Sequence, residues 1–196
     1  MIAERGIEGL SLRGLARDLE VSHAAPGAHF ADRKALLCAL AKEGFRRIVE
    51  AMQAGAEAVG SDPVARYRAI GRSYLQFALE NPSYFRAIRH PEVQAHADAE
   101  LNEAQAEFFA TLRDGVAAAQ AAGWHPEIEI TTLLAFSCAA AMGAAELLSD
   151  PISCRELGIQ DVDRLADSVL DLVVHRSPAR LISTAAPAAE HRRNPS

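Results

Sequence analysis

The amino-acid sequence predicts an all-α protein. Alanine and leucine dominate the 196 residues, alternating β-branched patterns are nearly absent, and Pro and Gly recur at intervals that fit breaks between helices. Hydrophobic residues make up 49% and charged residues 23% of the chain, close to globular averages, which argues against a disordered or fibrous protein. The length allows one large domain or a small module followed by a larger one.

Two short helices joined by a tight turn are predicted near the N-terminus. Ser11 is a good N-cap because its hydroxyl can accept a hydrogen bond from a free backbone N–H. The apolar face of the helix after it consists of Leu12, Leu15, Ala16 and Leu19. A second short helix covers residues 23–30, where Pro26 fits a first helical turn. Two short helices followed by a long one are the layout of a helix-turn-helix DNA-binding unit.

The remainder of the chain predicts six further helices and a tail. The helices run from a cap at Asp32 to about Val59, from Val64 to Leu79, around Tyr84, Phe85 and Ile88, from about Val93 to Ala122, from about Glu127 to Leu148, and from about Ile159 to Val174. The tail of residues 177–196 is rich in Ala, Pro and Arg and is expected to be disordered. We therefore predict a helix-turn-helix head over residues 1–47 and a helical body over residues 48–176.

The charge of the chain is unevenly distributed. The formal net charge is −6, from 20 basic and 26 acidic residues, which by itself argues against a protein that coats itself in nucleic acid. Residues 1–47 hold eight basic and six acidic residues, a charge of +2, so the remaining 12 basic and 20 acidic residues give −8. Ordinary fluctuation and a head that faces an anionic partner explain this difference about equally well.

The cysteines and the N-terminus favour a soluble cytoplasmic protein. Cys38, Cys138 and Cys154 are widely spaced and form no paired motif, which is typical of reduced thiols and not of a disulfide framework or a zinc site. The first six residues lack the basic start and apolar run of a secretory signal. The apolar stretch from Thr131 to Leu148 carries Glu146, so a buried helix is expected rather than a membrane span. No metal, cofactor or membrane partner is expected.

Two runs in the N-terminal part resemble the TetR family of transcriptional regulators. Residues 2–16, IAERGIEGLSLRGLA, look like the end of the family's first helix and its second helix. Residues 21–37, VSHAAPGAHFADRKALL, are similar to its turn, recognition helix and fourth-helix start. The match covers roughly the first fifth of the chain and implies a DNA-binding head on a ligand-binding, dimerising body. The family's first helix would begin upstream of Met1, and Gly27-Ala28 stand where a tyrosine and a basic residue are usual.

The resemblance implies which residues of the head contact a double-stranded DNA operator. Ser11 and Arg13 would contact phosphate, His23 base edges or phosphate, and His29 and Arg33 the DNA backbone. The complete set that it suggests is Ser11, Arg13, Ser22, His23, Ala24, Ala25, His29, Arg33 and Lys34. Each has a plainer interpretation: Ser11 as a helix cap only, and the basic residues as solvated surface charges.

The body is expected to form a homodimer and to bind a hydrophobic inducer. The last two helices pair with their copies in TetR-like proteins, and Ala140, Gly143 and Ala144 would let another helix approach closely. The candidate pocket residues are aromatic or apolar: Tyr74, Phe77, Phe85, Phe108, Trp124, Phe136 and Met142. For any one of them a plain core position is the stronger interpretation. Arg86, Arg89 and His90 could hold an acid group.

Three functions are compatible with these patterns. The leading hypothesis is a ligand-responsive repressor in which a small molecule changes the spacing of the two DNA-binding heads. The alternative is a small-molecule-binding helical dimer that has lost DNA binding. An enzyme is the weakest hypothesis, because no nucleophile–base arrangement, phosphate loop or metal spacing is visible.

Overall fold

A computed structural model describes residues 32–175 of the chain, which form eight helices and contain no strand. The helices are α1 (Arg33–Ala58), α2 (Pro63–Glu80), α3 (Pro82–Ile88), α4 (Pro91–Ala95), α5 (Ala99–Ala121), α6 (Ile130–Ser149), α7 (Pro151–Glu156) and α8 (Val162–His175). The predicted all-α class is confirmed. The helix-turn-helix predicted within residues 1–31 and the disordered tail predicted over residues 177–196 lie outside the described residues.

The predicted starts of the first body helices are confirmed by their caps. The Asp32 carboxylate accepts a hydrogen bond from the Ala35 N–H at 2.8 Å, and Asp62 accepts one from the Val64 N–H at 2.9 Å. A proline occupies the first turn of α2 and of α3, where its missing N–H costs no helical hydrogen bond. Helix α1 continues without interruption across residue 47, the boundary predicted between head and body.

The single long helix predicted from Val93 to Ala122 is wrong. The chain ends α4 at Ala95 and begins α5 at Ala99, because the Asp98 side chain accepts a hydrogen bond from the Leu101 N–H at 2.8 Å and caps a new helix. The short helix α7 was also missed, although Asp150-Pro151 is a helix-start signal.

The last two predicted helices begin later than expected. Glu129 caps α6 through the Thr132 N–H at 2.9 Å, so α6 starts at Ile130 instead of Glu127. Asp161 accepts from the Arg164 N–H at 2.9 Å, so α8 starts at Val162 instead of Ile159. In both cases a side-chain cap sets the first residue of the helix.

The main core lies where α1, α2 and α5 cross. Its largest fully buried side chains include Leu37, Ile48, Met52, Leu75 and Val93. Helices α1 and α2 approach so closely at Gly55 that a Cβ there would lie 2.2 Å from Ser73 Oγ, so a larger residue would make the Ser73 side chain change rotamer. Helices α3, α5, α6 and α8 each pack against α1 or α2.

A second, smaller core surrounds Trp124 in the connection between α5 and α6. The Trp124 ring lies 5.3 Å from the Tyr67 ring, and its Nε1 donates a hydrogen bond to the Val174 carbonyl at 2.8 Å. Since Val174 belongs to α8, this contact ties the end of the last helix to the α5–α6 connection. Burying an indole with its N–H satisfied makes it a stable anchor.

Helix α6 is apolar, yet residues 32–175 bury only one of its faces. Leu133, Ser137, Ala145 and Leu148 point inward, whereas Phe136 and Met142 are 57% and 41% exposed. By length and composition alone this apolar 20-residue helix could cross a membrane. Core helices of soluble proteins meet the same criterion. Among residues 32–175, these exposed apolar side chains leave one face of α6 uncovered.

Candidate functional site

An apolar cavity of about 380 Å³ lies inside the helical body. Helices α1, α2, α3, α5, α6 and α8 all contribute to its wall, and its volume falls within the range of small-molecule pockets. The lining side chains are mainly aromatic or aliphatic. A void of this size in a close-packed protein interior is a candidate ligand site because cores otherwise contain few gaps.

Aromatic rings from four helices form the inner part of the wall. The Phe108 ring on α5 lies 5.6 Å from Phe45 on α1 and 6.2 Å from Tyr74 on α2, and the Tyr74 ring lies 5.7 Å from Phe85 on α3. These side chains are at most 9% exposed. The spacing of Tyr67, Ile70 and Tyr74 places them on one face of α2, which faces the void.

The cavity opens on the side formed by α3, α4, α5 and α6. Exposed or half-buried residues of the lining cluster there: Arg89, Gln94, Gln105, Phe109 and Met142. Gln105 Nε2 donates to Gln94 Oε1 at 3.3 Å, and Gln94 Nε2 donates to the Ile88 carbonyl at 3.0 Å. The two amides thus link α5 to the end of α3 beside the opening.

The wall offers a few polar atoms to a bound molecule. Burial raises the pKa of Tyr67 and of Tyr74 to about 12, so both hydroxyls stay protonated and can donate. Ser137 partly offsets the rise at Tyr67, but its Oγ has no partner that meets hydrogen-bond geometry within residues 32–175. Burial likewise raises the pKa of the Cys138 thiol and keeps it neutral. The Tyr67 and Tyr74 hydroxyls and the Cys138 thiol of the inner wall therefore keep their protons and carry no charge.

Two arginines lie in the wall and differ in how firmly they are held. Arg68 Nε lies 2.6 Å from Asp171 Oδ1, and its Nη2 lies 3.2 Å from Asp167 Oδ1. Arg89 Nη1 lies 3.4 Å from Glu146 Oε2, and its guanidinium stacks 5.4 Å from the centre of the Phe85 ring. Arg68 serves to hold α8 against α2, whereas Arg89 stands at the opening with one long ion pair.

The structure brings together part of the predicted pocket set. Tyr74, Phe85, Phe108 and Met142 line the cavity. Phe77 is buried in the main core, Trp124 belongs to the second core, and Phe136 is exposed on α6, so these three lie away from the cavity lining. Sequence reasoning missed Phe45, Ile48 and the α8 residues Val169, Leu170 and Val173, whose only signal was the apolar face of each helix.

Of the predicted DNA-contacting residues, only Arg33 and Lys34 fall within the described part of the chain. Arg33 Nη1 lies 2.7 Å from Glu92 Oε1 on α4, and Lys34 is half-buried at the start of α1. A second ion pair, Lys42 with Glu100, joins the same part of α1 to α5. Ser11, Arg13, Ser22, His23, Ala24, Ala25 and His29 lie outside the described residues.

A separate open groove runs between α6 and α8. Small side chains line its α6 side, among them Ala140, Gly143 and Ala144, and Leu165 lies on its α8 side. A Cβ built on Gly143 meets no atom within 4 Å among residues 32–175. Within residues 32–175, no group of three or more His, Cys, Asp or Glu side chains could hold a metal ion.

Comparisons with known proteins cover most of the chain. The family model described as "Tetracyclin repressor-like, C-terminal domain" matches residues 67–173. A solved structure of a protein with unknown function from Rhodococcus sp. RHA1 is 32% identical, covering 88% of this chain and 87% of that chain with a TM-score of 0.73. A comparison with curated proteins finds no match.

Two more distant structures share the fold. The TetR family transcriptional regulator PfmR from Thermus thermophilus is 18% identical, covering 88% of this chain and 92% of that chain with a TM-score of 0.70. AibR, solved in complex with isovaleryl coenzyme A and operator DNA, is 20% identical, covering 88% of this chain and 91% of that chain with a TM-score of 0.66. At these identities the likeness concerns the fold alone.

Proposed function

This chain belongs to the TetR family of transcriptional regulators, and we propose that it binds operator DNA and that a small hydrophobic ligand changes its DNA affinity. The observation that carries the ligand response is the apolar cavity of about 380 Å³ in the body. An uncharged, aromatic cavity with few polar atoms suits a hydrophobic inducer better than it suits a strongly charged inducer. We assign the protein the role of a repressor and no catalytic activity.

DNA binding is assigned to the N-terminal head. Ser11, Arg13, Ser22, His23, Ala24, Ala25 and His29, together with Arg33 and Lys34 at the start of α1, are the proposed contacts. Lys34 takes part in no ion pair among the described residues, so it is free to meet a DNA phosphate. AibR, which shares this fold, was solved with operator DNA, which supports the same partner here.

A homodimer through α6 and α8 is proposed as the working form. The open groove between these helices and the exposed apolar residues of α6 need a covering surface. Small residues at Ala140 and Gly143 allow a second copy to approach closely. The dimer would hold two heads at a fixed separation and so set the spacing of the DNA half-sites. Burial of the exposed apolar residues of α6 in a dimer is consistent with a soluble, cytoplasmic regulator.

Helix α1 provides a physical link between cavity and head. It begins at Arg33, next to the proposed DNA contacts, and contributes Phe45 and Ile48 to the cavity wall about three to four turns later. Because a helix moves as a rigid rod, a ligand that displaces this wall shifts the start of α1. The ion pairs Arg33–Glu92 and Lys42–Glu100 hold that start against α4 and α5.

DNA binding is tested by fluorescence anisotropy with labelled DNA from immediately upstream of the gene. We expect sequence-specific binding whose affinity falls steeply with added salt, because phosphate contacts release counterions. Lys34→Gln should weaken binding at every sequence and lower the salt slope by about 1. Arg113→Gln, which removes one positive charge from the exposed surface of α5, is the matched control and should leave both unchanged.

A helical dimer that binds a small molecule without DNA is the second candidate. The observation that favours it is the 2.7 Å ion pair between Arg33 and Glu92, which occupies a proposed phosphate contact. Restoring Tyr at position 27 and Arg at position 28, as in the family's usual pattern, separates the two candidates. If binding to upstream DNA is absent from the natural chain and arises only after this restoration, the second candidate is correct.

A further inference from the structure

We propose, resting on the function above, that the cavity takes a carboxylic acid with a hydrocarbon body, and that Arg89 holds the acid group by exchanging its partner Glu146 for the ligand. The hydrocarbon part would lie in the aromatic chamber and the carboxylate at the opening. The proposal specifies the ligand class and assigns a binding role to one residue of the wall.

Arg89 is positioned to meet a molecule that enters the chamber. It follows the last residue of α3 and lines the cavity on its open side, with a side chain that is 37% exposed. Its guanidinium stacks on Phe85, which is buried in the same wall. This stacking holds the cation at the rim independently of any acidic partner.

The ion pair of Arg89 is of the kind that exchanges readily. It consists of one contact at 3.4 Å, to a Glu146 side chain that is 73% exposed. An exposed pair with such a long contact adds little to stability, so its loss on ligand binding costs little. Because a carboxylate already occupies this position, a carboxylate on the ligand can replace it with the same geometry and charge.

Arg68, the other arginine of the wall, is less suited to this role. Its guanidinium contacts both Asp167 and Asp171 on α8, at 3.2 Å and 2.6 Å. Moving it to a ligand would break two contacts between α2 and α8. Arg89, which would give up one contact at 3.4 Å, is therefore better suited than Arg68 to bind the carboxylate of the ligand.

Tyr74 supplies a second polar contact near the opening. Its hydroxyl makes no hydrogen bond within residues 32–175, and the charges of Arg89 and Glu146 both act on it. The Tyr74 and Phe85 rings are 5.7 Å apart, so this hydroxyl and Arg89 belong to the same part of the wall. A protonated phenol donates to a carboxylate, and beyond it Phe45, Ile70, Phe108 and Leu170 offer only apolar surface.

Isothermal titration with a matched pair of probes tests the proposal. Decanoate and 1-decanol share a ten-carbon chain and differ in the acid group. We expect decanoate to bind at least about tenfold more tightly than 1-decanol to the natural chain, because the charged contact to Arg89 is absent for the alcohol. Arg89→Gln should abolish this preference, so that decanoate and 1-decanol bind to the variant with similar affinity.

Two further variants separate the exchange from a general effect of charge. Glu146→Gln should tighten decanoate binding by a few-fold, because Arg89 no longer has to give up a partner. Arg86→Gln removes a neighbouring positive charge on α3 that does not line the cavity, so it should leave the preference for decanoate intact. Thermal unfolding followed by circular dichroism verifies that each variant is folded.

The possible outcomes distinguish this proposal from the function on which it rests. Equal binding of both probes, or a preference for decanoate that survives Arg89→Gln, overturns the acid assignment while leaving a hydrophobic ligand in place. Failure of both probes to bind overturns the acid assignment and also argues against the ligand response. DNA binding is measured separately and does not depend on either result.

Discussion

At the scale of single residues, the Ser137 hydroxyl is buried in the cavity wall at 8% exposure beside Tyr67, but it forms no hydrogen bond of good geometry among residues 32–175. A buried hydroxyl without a partner costs about 1–3 kcal/mol of desolvation. Such a hydroxyl either forms a hydrogen bond with a bound ligand or destabilises the fold to an extent that the protein tolerates. In both cases its removal from the ligand-free protein should be favourable.

We therefore predict that Ser137→Ala raises the free energy of unfolding by about 1 kcal/mol, measured by urea denaturation. Ser149→Ala is the matched control on the same helix, because both changes gain the helix propensity of alanine. Ser149 Oγ donates to the Ala145 carbonyl at 2.6 Å, so its variant loses a hydrogen bond. A Ser137→Ala variant no more stable than Ser149→Ala would contradict the prediction.

Residue composition alone indicated an apolar site but could not select all its members. Tyr74 and Phe77 lie three positions apart on α2 and look equivalent in sequence, yet only Tyr74 faces the void. The rotation of α2 against α1 and α5 decides which of them faces the cavity, and that rotation depends on close contacts such as the one at Gly55. These contacts are tertiary and leave no local pattern.

At the scale of elements, side-chain caps explain both the correct and the incorrect helix predictions. Asp32, predicted as a cap, acts as one, and the helix predicted from Val64 begins one residue earlier, at Pro63, after its cap Asp62. Asp98 has the same chemistry, but the apolar periodicity on either side of it concealed the break between α4 and α5. The sequence therefore predicts the number of long helices well and short connecting helices poorly, because one hydrogen bond is enough to redirect the chain.

The open face of α6 carries a prediction about assembly. Gly143→Leu should weaken dimerisation by at least about tenfold, because the larger side chain blocks close approach of a second helix. The single chain should stay folded, since a Cβ at Gly143 meets no atom within 4 Å in the part of the chain that the structure describes. Sedimentation equilibrium measures the dimer dissociation constant, and circular dichroism measures the fold.

Ala117→Leu, on the exposed surface of α5, is the control for this change. It adds the same side chain to a helical surface outside the groove and should leave the dissociation constant unchanged. A Gly143→Leu protein that dimerises as tightly as the natural chain would exclude α6 as the interface.

At the scale of the whole molecule, charge differs between the N-terminal segment, which is proposed to bind DNA, and the rest of the chain, which is proposed to bind the ligand. The segment of residues 1–47 is weakly basic, whereas the rest of the chain is acidic. Several ion pairs among the described residues join one helix to another: Arg33 to α4, Lys42 to α5, and Arg68 and Arg72 to α8. Two of these fasten the start of α1, which would carry a motion from the cavity to the head.

The length and the helix pattern could predict an all-α body, and the two N-terminal motifs could predict its family. They could not predict the cavity, because a void arises where the seven helices that line it leave space between them unfilled. Nor could they predict that Arg33 pairs with Glu92, because the two residues are 59 positions apart in the chain.

A ligand that occupies the cavity is expected to change the affinity of the protein for DNA. Fluorescence anisotropy with labelled upstream DNA, with and without a saturating concentration of decanoate, tests it most directly. We predict an apparent DNA dissociation constant about 5- to 150-fold higher with ligand, and no change for Ala141→Phe, which fills the cavity from α6. An unchanged DNA affinity while titration shows decanoate bound in the cavity would contradict the account.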